Sequence, residues 1–258
     1  MKLGLVQYSP EWEYPEENIL KIEKLVSSMK SKADLLIFPE MTLTGYTMNS
    51  MKFAEEIDGI GTKYFINLSA RIKTDIFAGI IELDNNSAFN SLVHFDNLGL
   101  IRARYRKIHP YSYAGEDKNY GAGKELVITK IDQVKIGLSI CYDLRFPELY
   151  RLYAKENIDL LVNIASWPIP RIEHWKTLLK ARAIENQCYI VGVNRIGSDQ
   201  PVGDQYGSYN GCSSVFDPMG NEIIIEQDSE KIIEVEIDLN KVNETREKLP
   251  FLRDIKLI

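Results

Sequence analysis

Three mostly apolar runs do most to limit the fold of this chain. They are DLLIFPE at 34–40, IDLLVNIAS at 158–166 and CYIVGVN at 188–194. A strand with one face in solvent alternates apolar and polar residues, whereas a strand covered on both faces reads as one apolar run. Between the last two runs, EHWKTLLKARAIENQ is predicted to be a helix. Strands joined through a helix pair in parallel by a right-handed crossover. The sequence therefore predicts an α/β fold with buried parallel strands.

Antiparallel pairing is predicted elsewhere, from apolar runs joined by short turns. IFAGIIEL, SLVHFD and LIRARYRK follow one another between residues 76 and 107. Asp96-Asn97-Leu98-Gly99, between the last two, has the composition of a hairpin turn. No linker, repeat or low-complexity tract interrupts the pattern. We therefore expect a mixed-sheet α/β fold with a single domain over residues 1–258.

The composition argues against several classes of partner and location. The 258 residues carry 31 Lys and Arg against 37 Asp and Glu, a formal net charge of −6. This balance argues against nucleic acid or an anionic membrane as the main partner. No apolar run approaches the roughly 20 residues needed to span a bilayer, and the acidic start MKLGLVQYSPEWEYPEE is unlike a signal peptide. Three cysteines are too few for a disulfide framework in a chain of this length. We expect a reduced, cytoplasmic enzyme.

Three residues of catalytic type stand where predicted strands end. Glu40 ends DLLIFPE, Lys107 ends LIRARYRK and Cys141 ends VKIGLSIC. In open α/β sheets the chemistry gathers where strands end and loops begin. Lys107 also falls on the apolar face of its strand, whereas the arginines of that strand fall on the other face. This placement suits a cation that is turned inward to stabilise an oxyanion.

The residues that follow Cys141 favour a role as nucleophile. A free cysteine usually packs as a small buried hydrophobe. Here Tyr142-Asp143-Leu144-Arg145 reads as too polar for a core, and Pro147 suits the first turn of a helix. A sharp turn from strand to helix would expose the sulfur and direct backbone N–H groups beside it. Such a turn favours both a thiolate and an oxyanion.

A cysteine nucleophile needs a base, and none of the histidines is a strong candidate for that base. His94 lies inside a predicted strand and is interpreted as structural. His174 with Asn194 could imitate a Cys-His-Asn site, but the papain-type local sequence is absent. Glu40 is the better candidate because partial desolvation by its apolar neighbours makes a carboxylate more basic. The alternative for Glu40 is a solvated loop residue.

Three segments resemble the signature segments of the nitrilase superfamily, the carbon–nitrogen hydrolases: DLLIFPEMTLTGY, RYRKIHPY and GLSICYDLRFPELYR. They occur in the family's order and carry its Glu, Lys and Cys as Glu40, Lys107 and Cys141. HWKTLLKARAIENQCYIV, YNGCSSVFDPMGN and DLNKVNETREKLPFLRD are also similar, so the likeness covers nearly the whole chain. The resemblance implies a four-layer α-β-β-α sandwich, and a homodimer or an assembly of dimers joined through helices.

The resemblance implies neither a metal nor an organic cofactor. Independently, the three cysteines Cys141, Cys188 and Cys212 lack metal-ligand spacing, and the sequence has no Gly-rich phosphate loop.

A two-stage covalent mechanism is also implied. Glu40 takes the proton of Cys141, and the thiolate attacks the amide carbon. Lys107 and the backbone N–H of Tyr142 stabilise the oxyanion. Glu40 then passes the proton to the leaving ammonia and activates the water that hydrolyses the thioester. Many members have a second glutamate that helps to hold the lysine and the substrate, and Glu116 in YAGEDKNY matches its place. An exposed loop charge is the alternative for Glu116.

Within the superfamily, AGEDKNYGAG, CYDLRFPE, SWPIPRIEHW and NRIGSD look like the omega-amidase branch. Those enzymes hydrolyse the terminal amide of 2-oxoglutaramate and 2-oxosuccinamate. Such a substrate needs a cation for its far carboxylate and walls that limit its length. Arg145 is the candidate clamp, because guanidinium pairs bidentately with carboxylate; an ion pair to Asp143 or Glu148 is the alternative. Trp167 and Tyr46 are the candidate walls, with core packing as the alternative.

Other activities remain open. A sister branch that acts on deaminated glutathione has a similar nucleophile segment, and N-carbamoyl hydrolysis is a more distant option. Nitrile hydrolysis is disfavoured, because nitrilases proper generally carry Cys-Trp-Glu where this chain has Cys141-Tyr142-Asp143. A catalytically silent scaffold would usually have lost a catalytic residue, and all three are present. We therefore expect an amidase for a small-molecule amide, with neither nucleic acid nor membrane as partner.

Overall fold

The computed structural model of the chain describes residues 1–199 and 207–257. The helices are α1 (Pro15–Ser27), α2 (Ser50–Phe53), α3 (Ile60–Ile72), α4 (Glu116–Asn119), α5 (Pro147–Lys155), α6 (Ile172–Asn186) and α7 (Asn240–Lys248). The strands are β1 (Lys2–Gln7), β2 (Leu35–Ile37), β3 (Asp75–Asp84), β4 (Ser87–Phe95), β5 (Ile101–Arg106), β6 (Ile128–Ile131), β7 (Val134–Ile140), β8 (Leu160–Ala165), β9 (Tyr189–Asn194), β10 (Ile196–Ser198), β11 (Ser208–Phe216), β12 (Glu222–Gln227) and β13 (Lys231–Glu236).

The strands form two mixed sheets. The first has the order β13-β1-β2-β3-β4-β5, and the second has the order β10-β11-β9-β8-β7-β6 with β12 paired to β11. The three apolar runs supply strands β2, β8 and β9, and each pairs in parallel as predicted. Strands β3, β4 and β5 form antiparallel pairs, and the predicted turn between β4 and β5 is closed by a hydrogen bond from Gly99 N to Asp96 O.

Alternate residues of the central strands pack on opposite layers. Leu35 and Ile37 of β2 belong to the cluster between the two sheets, whereas Leu36 packs against the side chains of α1 and α3. In β8, Val162 faces the other sheet and Leu161 packs with α5 and α6. Because both faces of these strands are covered, their sequences are largely apolar. The buried exception within β8 is Asn163, whose Nδ2 donates to Ser139 Oγ and to the Tyr150 hydroxyl. The layers therefore follow the order helix, sheet, sheet, helix, which confirms the predicted four-layer sandwich.

Four chain segments reach the same end of the sandwich. Glu40 lies just beyond β2, and Lys107 directly follows β5; both strands belong to the first sheet. Cys141 and Ser166 directly follow β7 and β8 of the second sheet. The two sheets thus each bring polar side chains to one place. Over the described part of the chain, no helix has the length and apolar character needed to cross a membrane.

Candidate active site

Lys107 is buried between two carboxylates. Its Nζ donates to Glu40 Oε1 at 2.9 Å and to Glu116 Oε1 and Oε2 at 3.0 and 2.8 Å. All three side chains are at most 1% exposed. Burial on its own would lower the pKa of Lys107, but Glu116 and Glu40 hold that pKa well above its usual value. The side chain is therefore an ammonium ion at neutral pH, suited to stabilising a developing negative charge.

Asn90 joins the two carboxylates, and sequence reasoning missed it. Its Nδ2 donates to Glu40 Oε1 at 2.7 Å and to Glu116 Oε1 at 2.8 Å. The sequence does contain a signal: Asn90 lies two residues before Leu92, whose side chain packs between the sheets, so the amide points to that same inner face. A buried amide is costly unless it is hydrogen-bonded. Its presence on an inner face indicates polar partners.

Glu116 is a buried residue rather than an exposed loop charge. Besides Lys107 and Asn90, its carboxylate accepts hydrogen bonds from Tyr111 N at 2.6 Å and from the Tyr46 hydroxyl at 3.2 Å. Burial and the nearby Glu116 raise the pKa of Tyr46 well above its usual value, so this side chain remains a phenol that donates. Tyr46 therefore combines a wall position in the site with a hydrogen bond to the lysine's partner.

Cys141 lies at the predicted turn from strand to helix. Strand β7 ends at Ile140, a 3₁₀ helix runs over Cys141–Arg145, and Pro147 begins α5. Cys141 has a φ of +46°, a left-handed conformation that costs a non-glycine residue about 1 kcal/mol. N–H groups in the first turn of a helix lack intrahelical partners, and the N–H of Tyr142 belongs to this first turn.

Asp143 holds this turn from inside the protein. Its Oδ2 accepts hydrogen bonds from Ile140 N at 3.0 Å and the Tyr105 hydroxyl at 2.7 Å, and its Oδ1 accepts from His109 N at 3.0 Å and lies 2.7 Å from His109 Nδ1. The polarity of residues 142–145 suggested exposure, but Asp143 and Leu144 are fully buried. The suggestion was wrong at Asp143 because four donors satisfy its carboxylate.

The Cys141 thiol stays protonated at rest. Burial, followed by the charge of Glu40, raises the pKa of this thiol well above its usual value, and Lys107 offsets only part of the effect. The thiol therefore needs a base before it can attack. Ser166 N donates to Glu40 Oε2 at 2.8 Å and also hydrogen-bonds the Cys141 sulfur. One N–H thus connects the candidate base with the candidate nucleophile.

A small cleft that opens to solvent leads to Cys141. Its lining comprises Tyr46, Tyr111, Ala114, Cys141, Tyr142, Arg145, Ser166, Trp167, Pro168, Arg171 and Tyr209. The sequence-predicted Arg145, Trp167 and Tyr46 are therefore brought together with Cys141. Arg171 and Tyr209 were missed, although Arg171 stands inside SWPIPRIEHW.

Arg145 packs on an aromatic face instead of forming the alternative ion pair. Its guanidinium lies 4.7 Å from the centroid of the Trp167 ring, and no described carboxylate lies within ion-pair distance of it. Trp167 is in turn held by Asn194, whose Oδ1 accepts from Trp167 N at 2.7 Å. The cleft therefore presents a positively charged side chain packed on the Trp167 ring.

Among the other histidines and cysteines, His94, Cys188 and Cys212 lie apart from the cleft, whereas His174 contacts one of the cleft residues. His94 is buried, with its ring nitrogens 2.8 Å from Asp75 Oδ1 and 2.6 Å from Thr129 Oγ1, in keeping with a structural role. His174 contacts Arg145 at 3.4 Å. Cys188 and Cys212 are buried in the core beneath α5 and α6. Within residues 1–199 and 207–257, no group of three or more His, Cys, Asp or Glu side chains is arranged to hold a metal ion.

Comparison with known proteins identifies the family. The family model for carbon–nitrogen hydrolases matches residues 2–247. The chain is 34% identical to 2-oxoglutaramate amidase of Bacillus subtilis over 98% of this chain and 97% of that protein. It is 33% identical to omega-amidase YafV of Yersinia enterocolitica, over 98% and 96% of the two chains.

The fold comparison agrees with the sequence comparison. The crystal structure of a carbon–nitrogen hydrolase superfamily protein from Xanthomonas campestris superposes with a TM-score of 0.92 at 29% identity, covering 100% of this chain and 98% of that one. That structure carries an arsenic adduct in its active site. The match of the family model over nearly the whole chain, together with these relatives, places the chain in the carbon–nitrogen hydrolase family of the nitrilase superfamily.

Proposed function

We propose that the protein is an omega-amidase that hydrolyses the terminal amide of 2-oxoglutaramate and 2-oxosuccinamate to the dicarboxylate and ammonia. The observation that carries the proposal is the meeting of Glu40, Lys107 and Cys141 at the end of a cleft that also presents Arg145. The names of the relatives in Bacillus and Yersinia support the same substrate class.

The first stage forms a thioester. Glu40 takes the proton of the Cys141 thiol as the sulfur attacks the amide carbon, which suits a thiol whose pKa is raised. The resulting oxyanion accepts hydrogen bonds from Lys107 Nζ and Tyr142 N–H, each donor being worth about 3 kcal/mol. Glu40 returns the proton to the amide nitrogen, the carbon–nitrogen bond breaks, and ammonia leaves.

The second stage regenerates the thiol. Glu40 takes a proton from a water molecule as that water attacks the thioester carbon, and the same two donors stabilise the second oxyanion. When the carbon–sulfur bond breaks, the proton held by Glu40 passes to the sulfur. Glu116 and Asn90 keep Lys107 and Glu40 in place through both stages. The products are a carboxylic acid and the resting Cys141 thiol.

Recognition of the substrate falls to the wall of the cleft. The guanidinium of Arg145 pairs with the carboxylate at the far end of the substrate. Trp167 and Tyr46 limit the length of the chain between that carboxylate and the amide. Because 2-oxoglutaramate and 2-oxosuccinamate differ by one methylene, the cleft accepts both with a modest preference, of the order of 10-fold.

We further propose a single domain over residues 1–258, a cytoplasmic location, and a homodimer or an assembly of dimers. Apolar side chains exposed on α5 and α6, Leu152 and Ile184, support pairing through this helix layer. Sedimentation of the purified protein at micromolar concentration tests the assembly, and a monomer would contradict it.

The test of function is ammonia release from 2-oxoglutaramate and 2-oxosuccinamate, compared with glutamine, deaminated glutathione, an N-carbamoyl amino acid and an aliphatic nitrile. We expect turnover of the two oxo-amides, abolished by Cys141→Ala. The matched control is Cys188→Ala, which removes a buried thiol that does not line the cleft. Turnover of deaminated glutathione alone would move the protein to the sister branch. Inactivity on every substrate would favour the scaffold hypothesis.

A further inference from the structure

Ser166 has an unused hydrogen-bonding group in the wall of the cleft. The residue directly follows β8, is 6% exposed, and lines the cleft together with Cys141. Its hydroxyl oxygen is buried and has no hydrogen-bond partner among the described residues. A hydroxyl left without a partner in a protein interior is destabilising. Such a group in a native structure calls for an explanation, and a bound ligand is one.

The backbone of the same residue fixes the place of this hydroxyl. Ser166 N donates to Glu40 Oε2 at 2.8 Å and hydrogen-bonds the Cys141 sulfur. The Oγ is a few covalent bonds from that nitrogen, so it stands beside the gap between the base and the nucleophile. The other oxygen of Glu40, Oε1, faces Lys107 and Asn90.

The reacting carbon has two polar substituents that need different partners. Its oxygen is directed to Lys107 Nζ and Tyr142 N–H, the donors of the oxyanion site. Its nitrogen must lie near Glu40, because Glu40 delivers the proton that lets ammonia leave. Ser166 is on this nitrogen side, and a hydroxyl oxygen can accept an N–H bond.

We propose that Ser166 Oγ accepts one N–H of the substrate's primary amide and so turns the nitrogen lone pair towards Glu40. In the tetrahedral intermediate the nitrogen carries two N–H bonds and one lone pair. The proton of Glu40 goes to the lone pair, the electrons of the carbon–nitrogen bond go to nitrogen, and those of the oxyanion re-form the carbonyl of the thioester. Ser166 neither gains nor loses a proton. This inference rests on the proposed amidase function and assigns the contact that orients its leaving group.

Loss of the Ser166 hydroxyl should affect amide substrates and ester substrates differently. An ester with the same acyl group has no N–H for Ser166 to accept, yet it forms the same thioester on Cys141. Loss of the hydroxyl should therefore slow the first stage with an amide, leave the first stage with an ester unchanged, and leave the second stage unchanged with both. No purely structural role of Ser166 predicts that difference.

The experiment compares wild type with Ser166→Ala on 2-oxoglutaramate and on the 5-methyl ester of 2-oxoglutarate. We expect kcat/KM to fall roughly 3- to 10-fold for the amide, the value of one neutral hydrogen bond, and to change less than twofold for the ester. Because the amide-to-ester ratio is taken on one preparation, any unfolded fraction cancels. Ser69→Ala, a buried serine on α3 away from the cleft, is the control and should leave the ratio unchanged.

A second measurement tests the stage at which Ser166 acts. With hydroxylamine as a competing acceptor, the ratio of hydroxamate to acid should be the same for wild type and Ser166→Ala. Equal losses on amide and ester, no loss on the amide, or a changed hydroxamate ratio would each overturn the proposal. If wild type does not turn over 2-oxoglutaramate, the proposed substrate fails, and the same comparison is made with whichever primary amide it hydrolyses and the matching ester.

Discussion

Replacing Asp143 by Asn should damage the active site without touching any group that reacts. The Asp143 carboxylate is fully buried and serves Ile140 N, the Tyr105 hydroxyl, His109 N and the His109 ring. It thereby ties the turn that carries Cys141 to the segment just beyond Lys107. An asparagine has the same shape, but one of its two polar atoms is an NH₂ group that donates. Two of the four groups that donated to the carboxylate then face this NH₂ group, which cannot accept a hydrogen bond from them.

The expected loss in the free energy of unfolding follows from the hydrogen bonds that Asp143→Asn changes. In the better orientation the NH₂ group faces His109, whose ring nitrogen can accept after a change of tautomer, and His109 N–H is left unpaired. That unpaired group costs about 2 kcal/mol. The two bonds from Ile140 N and Tyr105 change from charge-assisted to neutral, at about 1 kcal/mol each. The sum is roughly 4 kcal/mol, which corresponds to a drop in Tm of about 10 °C for a protein of this size.

Calorimetry and ammonia release measure the two consequences of this change. We expect the lower Tm together with a kcat reduced at least roughly 100-fold, because a small displacement of the nucleophile is enough for such a loss. Glu148→Gln is the matched control, since this exposed carboxylate five residues further on should leave both quantities unchanged. An Asp143→Asn variant with a Tm within about 2 °C and kcat within threefold of wild type would refute the reasoning.

Three further predictions concern single groups. Asn90→Ala removes the two hydrogen bonds to Glu40 and Glu116, so kcat for ammonia release should fall roughly 10- to 100-fold; an unchanged kcat would contradict it. Arg145→Gln should raise KM for the 2-oxo acid amide roughly 10-fold or more, yet leave a neutral aliphatic amide unaffected; equal effects on both would argue against a carboxylate clamp. Burial raises the pKa of Cys188 from 9.0 to about 12, so above pH 9 the unfolded chain loses a proton that the folded protein keeps. The free energy of unfolding should then fall with pH by up to about 1.4 kcal/mol per unit from this thiol. Denaturant titrations between pH 9 and 11 should show a shallower fall for Cys188→Ala, and identical slopes would exclude this contribution.

The sequence predicts those features that depend on neighbours along the chain. The mostly apolar runs of β2, β8 and β9 identify buried strands, because a strand covered on both faces tolerates a polar side chain only where that side chain finds a hydrogen-bond partner. The strand ends then indicate Glu40, Lys107 and Cys141. Local patterns suffice here, since a polar residue directly after a strand is visible in the sequence without knowledge of the strand's neighbours. Glu40 and Cys141 follow strands with parallel partners, whereas Lys107 follows β5, which pairs antiparallel with β4.

The features that escaped prediction depend on contacts between distant segments. Asn90 is 50 residues from Glu40 and 26 from Glu116, and the contacts exist because β4 pairs with β3 in a particular register. Asp143 read as a polar surface residue, since its partners on β5 and beyond are invisible to a local pattern. Ser166 combines both cases. Its position after a strand can be predicted from the sequence, but its contacts with Glu40 of the first sheet and Cys141 of the second cannot.

The origin of the site in both sheets makes the apolar layer between them part of the chemistry. Glu40 and Lys107 are carried by one sheet and Cys141 and Ser166 by the other, so the thickness of that layer sets the gap across which a proton must travel. Leu92 and Leu138 pack in this layer from opposite sides. A smaller residue at either position would let the two sheets move closer together or tilt. A shift of a fraction of an ångström would then change kcat before a change in stability was measurable. The turnover rate of this protein therefore depends on the spacing between its two sheets.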